Sequence, residues 1–411
     1  MRTKRSATGE LTAPAAAGVV ATPLRRRTEV RPEIQALRAV AVLAVVAHHA
    51  APRLAPAGYV GVDVFFTVSG FLITGLLVRE HARTGRIDFR AFYLRRIRRL
   101  LPAAVVALSA AALVTLLFVP EPAAQRYFGG IAASLLYVQN WRLAAGWLDP
   151  DRTALDASPL VHFWSLSVEE QFYLVWPVLI ALALALAGAR WWRGARETRV
   201  LATILVLVVL LSFAYCVVQS YMDAPIAYYS TLARAWEFGA GGLLALAAPL
   251  DRLRAAGRAL LSWVGLALIV LPVLTWSDPA PFPGWIAAVP VFGTLAVIAA
   301  GTPKVRWGTT GLARLPPVQW VGDASYSLYL WHWPIIAFFP YVTGVPSPWY
   351  LVLLLVVVGF AVAGLSLRYL ENPIRFRSAR FLRHRRVIAV ALTALGILTL
   401  GVSVWRSLVP A

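Results

Sequence analysis

Runs of about 20 mostly apolar residues recur along this chain, and each is long enough to cross a bilayer as a helix. Eleven such stretches are read, at roughly 36–52, 60–78, 101–119, 168–188, 200–218, 230–248, 260–275, 285–301, 321–340, 350–368 and 387–405. In hydrocarbon every backbone N–H and C=O must be satisfied within the segment, so such runs fold as helices. The expected fold class is all-α: a polytopic membrane helix bundle of about eleven transmembrane helices. Composition agrees, with 59% apolar and 14% charged residues and a mean hydropathy of +0.69. Soluble domains run near 45–50% apolar and about 25% charged, so a soluble enzyme, a disordered chain and a fibrous repeat are all excluded. The single cysteine, Cys216, excludes a disulfide framework and a cysteine-built metal site. The segment 127–141 is apolar but short, and reads as lying on or dipping into the interface; a twelfth crossing is the alternative.

Lys and Arg collect on the cytoplasmic side of membrane proteins. With the N-terminal tail and every second gap between spans assigned to one side, that side holds 33 of the 39 basic residues. The other positions hold six: Arg53, Arg126, Arg142, Arg152, Arg234 and Arg406. The N-terminus is therefore expected in the cytoplasm and the C-terminus outside, in the inner (plasma) membrane. The net charge of +20 reports topology, so the lipid bilayer and not nucleic acid is the expected partner. Residues 1–33 read as a disordered cytoplasmic tail, 34–377 as one membrane domain, and 378–411 as a basic linker with an additional C-terminal helix. The apolar run after Arg38 ends in His48-His49 and not in a small-residue cleavage site, so it reads as a permanent anchor. Abundant Ala, Arg and Gly with almost no Lys fits a GC-rich bacterial genome.

Charged groups inside spans cost about 2.5–3.5 kcal/mol each on insertion scales, which makes them candidates for function. His49 lies eleven residues beyond Arg38, about 16 Å along the helix axis. The second span runs back inward and brings Asp63 to a similar depth, and a histidine with a neighbouring carboxylate is the usual arrangement for a general base. His162 precedes the fourth span. In that span the adjacent Glu169 and Glu170 face different sides of the helix, so at least one points into the bundle. Arg234 and Glu237 form an i,i+3 pair, which reads first as an internal ion pair. His332 sits at the centre of the ninth span. Before the third span, Arg96 and Arg99 share a helix face. They serve either as stop-transfer charges against anionic lipid or as a two-fork clamp for phosphates. The histidines lack the paired spacing of zinc sites, so no metal is implied.

In order, RPEIQALRAVAVLAVVAHH from Arg31, GYVGVDVFFTVSGFLIT from Gly58, FYLRRIRRLLPA from Phe92, LVHFWSLSVEEQFYLVWP from Leu160, YYSTLARAWEFGAGGLLAL from Tyr228, VGDASYSLYLWHWPI from Val321 and YLENPIR from Tyr369 resemble the acyltransferase 3 family of membrane O-acyltransferases. The resemblance covers residues 31 to 377. It implies a ten-helix core and transfer of an acyl group, often acetyl from acetyl-CoA, to a hydroxyl of a sugar or related acceptor. It implies functional roles for Arg38, Arg96 and Arg99 toward the acyl-CoA donor and for His49 in catalysis. By motif position it extends to Asp63, Glu170 and His332. Some members add an eleventh span leading to an extracytoplasmic hydrolase-like domain. Here the eleventh span is followed by a stop at Ala411, so that domain is expected to be absent.

The expected function is thus a membrane O-acyltransferase with acyl-CoA as donor substrate and no permanently bound cofactor. Envelope polysaccharide, glycolipid and macrolide are all candidate acceptors. A proton-coupled transporter or lipid flippase, using the buried histidines and carboxylates as a relay, is the competing class. In a direct transfer His49 is the base. In a covalent relay Ser69 is the candidate nucleophile.

Overall fold

The computed structural model describes residues 31–146, 158–188, 195–247, 253–277, 281–376 and 379–408. The expected tail, up to residue 30, lies outside them. The described elements are helical throughout: α1 (Pro32–Ala50), α2 (Gly61–Thr84), α3 (Phe89–Phe118), α4 (Ala123–Leu135), α5 (Gln139–Gly146), α6 (Phe163–Gly188), α7 (Ala195–Met222), α8 (Ala224–Tyr229), α9 (Thr231–Leu246), α10 (Ala255–Thr275), α11 (Ala288–Ala300), α12 (Thr310–Ala313), α13 (Pro316–Thr343), α14 (Trp349–Ser366), α15 (Asn372–Phe376) and α16 (Ala379–Leu408). All eleven apolar stretches fall on helices. Among the described residues, eight helices are long and apolar enough to cross a membrane: α1, α2, α3, α6, α7, α10, α14 and α16. The chain is therefore a multi-pass, all-α membrane protein. The other three stretches depart from that pattern for visible reasons. Helices α9 and α11 have 16 and 13 residues, and α13, though 28 residues long, carries Asp323 and His332.

The segment 127–141 is neither a crossing nor one helix. Tyr137 adopts φ 54°, in the left-handed region, and ends α4 before α5 begins. With 13 residues, α4 extends about 20 Å, short of the roughly 30 Å hydrocarbon core. Helix α16 packs along α3 and α4: Ser109 and Thr399 share a hydrogen bond of 2.8 Å, and Arg406 pairs with Glu121 at 2.6 Å.

Two close backbone approaches set the helices around the site. A Cβ on Gly322 of α13 would lie 2.3 Å from the Gln35 carbonyl of α1, so only glycine permits that crossing. A Cβ on Gly241 of α9 would lie 2.0 Å from the Thr67 carbonyl of α2. Near that second crossing Arg234 of α9 pairs with Asp63 of α2, and its Nε lies 3.2 Å from Glu237. All three side chains are fully buried. Asp88 caps α3 by accepting from the Ala91 N–H at 2.9 Å, which starts the helix upstream of its apolar part. Arg96 and Arg99 therefore ride on ordered helical turns that reach the bundle.

Candidate active site

One cavity is framed by α1, α2, α3, α6 and α13, and three guanidinium groups line it: Arg38, Arg96 and Arg99. Arg38 donates from Nη1 to Gln35 Oε1 at 2.9 Å and from Nη2 to Ser325 Oγ at 2.8 Å. The Gln35 amide in turn bonds Asp323. The Arg96 guanidinium lies 4.6 Å from the centre of the Tyr173 ring, a cation–π distance. Among the described lining residues Glu169 is the one carboxylate against these three cations. The surplus of positive charge suits a ligand bearing several phosphates, since planar guanidinium forks match phosphate oxygens.

The cavity wall on α6 is built by Ser165, Glu169 and Tyr173, spaced i, i+4, i+8 and therefore on one face. Glu169 accepts from the Ser69 hydroxyl at 2.5 Å and also from the Tyr173 hydroxyl. Ser165 and Tyr329 share a hydrogen bond of 2.5 Å, and the Tyr329 hydroxyl lies 3.1 Å from the His162 carbonyl.

Beyond Tyr329 the same face of α13 carries His332, so Ser325, Tyr329 and His332 follow at i, i+4, i+7. They span about 10 Å along the axis. His332 Nε2 lies 3.0 Å from His49 Nδ1, and His332 Nδ1 lies 2.8 Å from the Leu328 carbonyl. The rings of His332 and His162 are 5.6 Å apart, and Trp333 covers His49 at 4.6 Å. His48 is turned elsewhere: its Nδ1 bonds the Ala55 carbonyl at 3.0 Å and its ring meets Tyr59 edge-on at 5.4 Å.

The sequence candidates therefore fall into three groups. Arg38, Arg96, Arg99 and Ser69 meet in one cavity. His49, His162 and His332 meet further along the α13 face. Asp63, Arg234 and Glu237 form a separate buried cluster. The Asp63 carboxylate, expected beside His49, is held by Arg234 instead; the partner of His49 is His332. Of the two adjacent glutamates, Glu169 lines the cavity, and Glu170 is half-buried outside the lining. Tyr173, Tyr329, Ser165 and Ser325 are site residues that the sequence reading passes over. The i,i+4 alignment of Glu169 with Ser165 and Tyr173 is the signal that would have found two of them.

Residues 31–368 match the family described as an acyltransferase domain. Over 357 residues the chain is 31% identical to the peptidoglycan O-acetyltransferase OatA of Listeria monocytogenes, covering 84% of this chain and 56% of the relative. Over 378 residues it is 32% identical to the O-acetyltransferase OatA of Staphylococcus aureus, covering 86% of this chain and 59% of the relative. The chain thus spans little more than half the length of these curated relatives. No solved structure matches it.

Proposed function

Because the chain belongs to the acyltransferase 3 family of membrane acyltransferases, we propose that it transfers an acetyl group from acetyl-CoA to a hydroxyl of a cell-envelope glycan, with peptidoglycan the first candidate. The observation that carries this reading is the continuous α13 face that joins the three-arginine cavity to the paired histidines. One end is suited to a phosphate-bearing donor, the other to deprotonating a hydroxyl. An acyl-CoA thioester supplies an already activated carbonyl, so the protein must contribute donor binding, a base and exclusion of water. Arg38, Arg96 and Arg99 would hold the donor phosphates. His49 takes the acceptor hydroxyl proton while the new C–O bond forms and the thioester C–S bond breaks, and the proton then passes to the leaving thiolate.

The eleven-span arrangement, with cytoplasmic N-terminus and extracytoplasmic C-terminus, is part of the same proposal and is supported by the basic-residue asymmetry. Reporter fusions after residues 90 and 380 should read cytoplasmic, and fusions after 150 and 411 should read external. A cytoplasmic signal at 411 removes one crossing from the arrangement.

The function is tested with detergent-purified protein, acetyl-CoA and soluble peptidoglycan fragments, without any membrane gradient. Release of CoA together with acetylated fragments is the expected result. CoA consumption that no glycan stimulates sinks the reading, and substrate movement in vesicles without covalent change would favour a transporter. Arg99 has a separate expectation. Each charge-assisted hydrogen bond to phosphate is worth about 1.5–3 kcal/mol, so Arg99→Ala should raise KM for acetyl-CoA by about 10- to 150-fold with kcat largely retained. An unchanged KM would leave Arg99 as a topology determinant only.

A further inference from the structure

The hydrogen-bond chain through His332 fixes more than a contact. The Leu328 carbonyl can only accept, so His332 Nδ1, 2.8 Å away, carries the hydrogen. A neutral imidazole has one N–H, which leaves His332 Nε2 with a lone pair. That lone pair faces His49 Nδ1 at 3.0 Å, so His49 Nδ1 is the donor of this bond. That bond places the His49 hydrogen on Nδ1 and leaves the free lone pair on Nε2. The reverse assignment would set a lone pair of His332 against the Leu328 carbonyl oxygen.

We infer that His332 is a positioning residue for the transfer reaction: it holds His49 in the tautomer whose Nε2 is the base, and it receives the Nδ1 hydrogen bond that strengthens as His49 becomes an imidazolium. This is the role a carboxylate plays in many histidine-based sites, filled here by a neutral imidazole anchored on a backbone carbonyl. The anchor is rigid. His332 is buried within α13, with the rings of His162 and Tyr329 at 5.6 and 5.7 Å. The titratable groups that face His49 are histidines: His48 on its own helix, His332 on α13 and His162 ahead of α6. The expected carboxylate partner, Asp63, is engaged by Arg234 instead. The proton balance is closed: the acceptor O–H proton goes to His49 Nε2 and leaves with the thiol, and the Nδ1 hydrogen stays between the two rings.

This inference rests on His49 being the base, and the experiment separates the two claims. His332→Gln and His332→Asn both carry an amide. The longer Gln reaches the position of Nε2 and can accept from His49. Asn reaches only the position of Nδ1, so it can satisfy the Leu328 carbonyl but not His49. Expected for His332→Asn is a fall in kcat of at least about 100-fold with KM for acetyl-CoA unchanged, and for His332→Gln a kcat at least about tenfold above that of Asn. Both are measured per folded protein, beside His49→Ala and with melting temperatures. A purely structural His332 predicts equal kcat for Gln and Asn, or activity that follows the folded fraction, and either result overturns the inference. So does His332→Asn at wild-type kcat while His49→Ala is inactive. An active His49→Ala instead defeats the functional reading beneath it. If His332→Asn does not accumulate, a folded His332→Gln as slow as His49→Ala overturns the inference by itself, and one within about tenfold of wild type supports it.

Discussion

Replacing His49 by alanine should lower acetyl transfer by about 10²- to 10⁴-fold, the usual contribution of a positioned general base. Protein level, melting temperature and KM for acetyl-CoA should be nearly unchanged. The reasons lie in the separation of tasks along the site. The arginines that would hold the donor line a cavity beside Ser325, about two turns of α13 from His332. His49 itself is only half-buried at the end of α1, and its side-chain hydrogen bond to another helix goes to His332. Truncating it leaves His332 Nε2 without its partner, a cost of about 1–3 kcal/mol at most, well below a typical domain's total stability. His48→Ala should be far milder. Adjacent helical residues point about 100° apart, and His48 is committed to the Ala55 carbonyl and the Tyr59 ring. The check is initial rates per folded enzyme for both variants. His49→Ala within tenfold of wild type, or losing activity only in step with its folded fraction, would remove His49 from the chemistry.

What was legible in the sequence follows from what one dimension encodes. Span positions depend on local hydropathy, and each of the eleven stretches lies on a helix. The i,i+3 relation of Arg234 and Glu237 is likewise local, and the pair forms as read. Counting residues along two antiparallel spans suggests a common level for Asp63 and His49, but Gly61, two residues before Asp63, already packs against Ala41 and Val45. Neither residue counting nor hydropathy says which helices are neighbours, and here that decided the outcome. The approach of α2 to α9 at Gly241 hands Asp63 to Arg234, and the approach of α1 to α13 at Gly322 hands His49 to His332. Glu169 and Glu170 differ in helical phase, and Glu169 is the one that lines the cavity. Helical phase was available in the sequence, because Ser165, Glu169 and Tyr173 repeat every four residues, yet motif position favoured the neighbour. The split of 127–141 into α4 and α5 depends on one left-handed residue, Tyr137, whose type gives no warning.

The second large effect concerns stability. Arg234→Met should cost about 3–5 kcal/mol, because removing one partner of a buried ion pair leaves uncompensated charge in a medium that cannot solvate it. The cluster is unequal: one guanidinium faces two carboxylates, Asp63 and Glu237, and all three groups are fully buried. The rings of Phe66, Trp164, Tyr228 and Phe282 surround the guanidinium at 5.5–5.9 Å, so no water can replace it cheaply. Losing the arginine strands both carboxylates and the aromatic cage together. Losing one carboxylate does not, because a single anion still balances the cation. Glu237→Gln should therefore cost only about 1 kcal/mol, the value of an ordinary hydrogen bond. Detergent melting temperatures and expression levels of the two variants, run side by side, make the comparison. Equal losses would mean that the arginine acts through packing volume and not through its charge. The asymmetric result would identify this cluster as the pin that holds α2 against α9. That pin fixes the place of Ser69, six residues on from Asp63 along α2, in the cavity wall, so any Arg234→Met protein that does fold should show weakened donor use as well as a lower melting temperature.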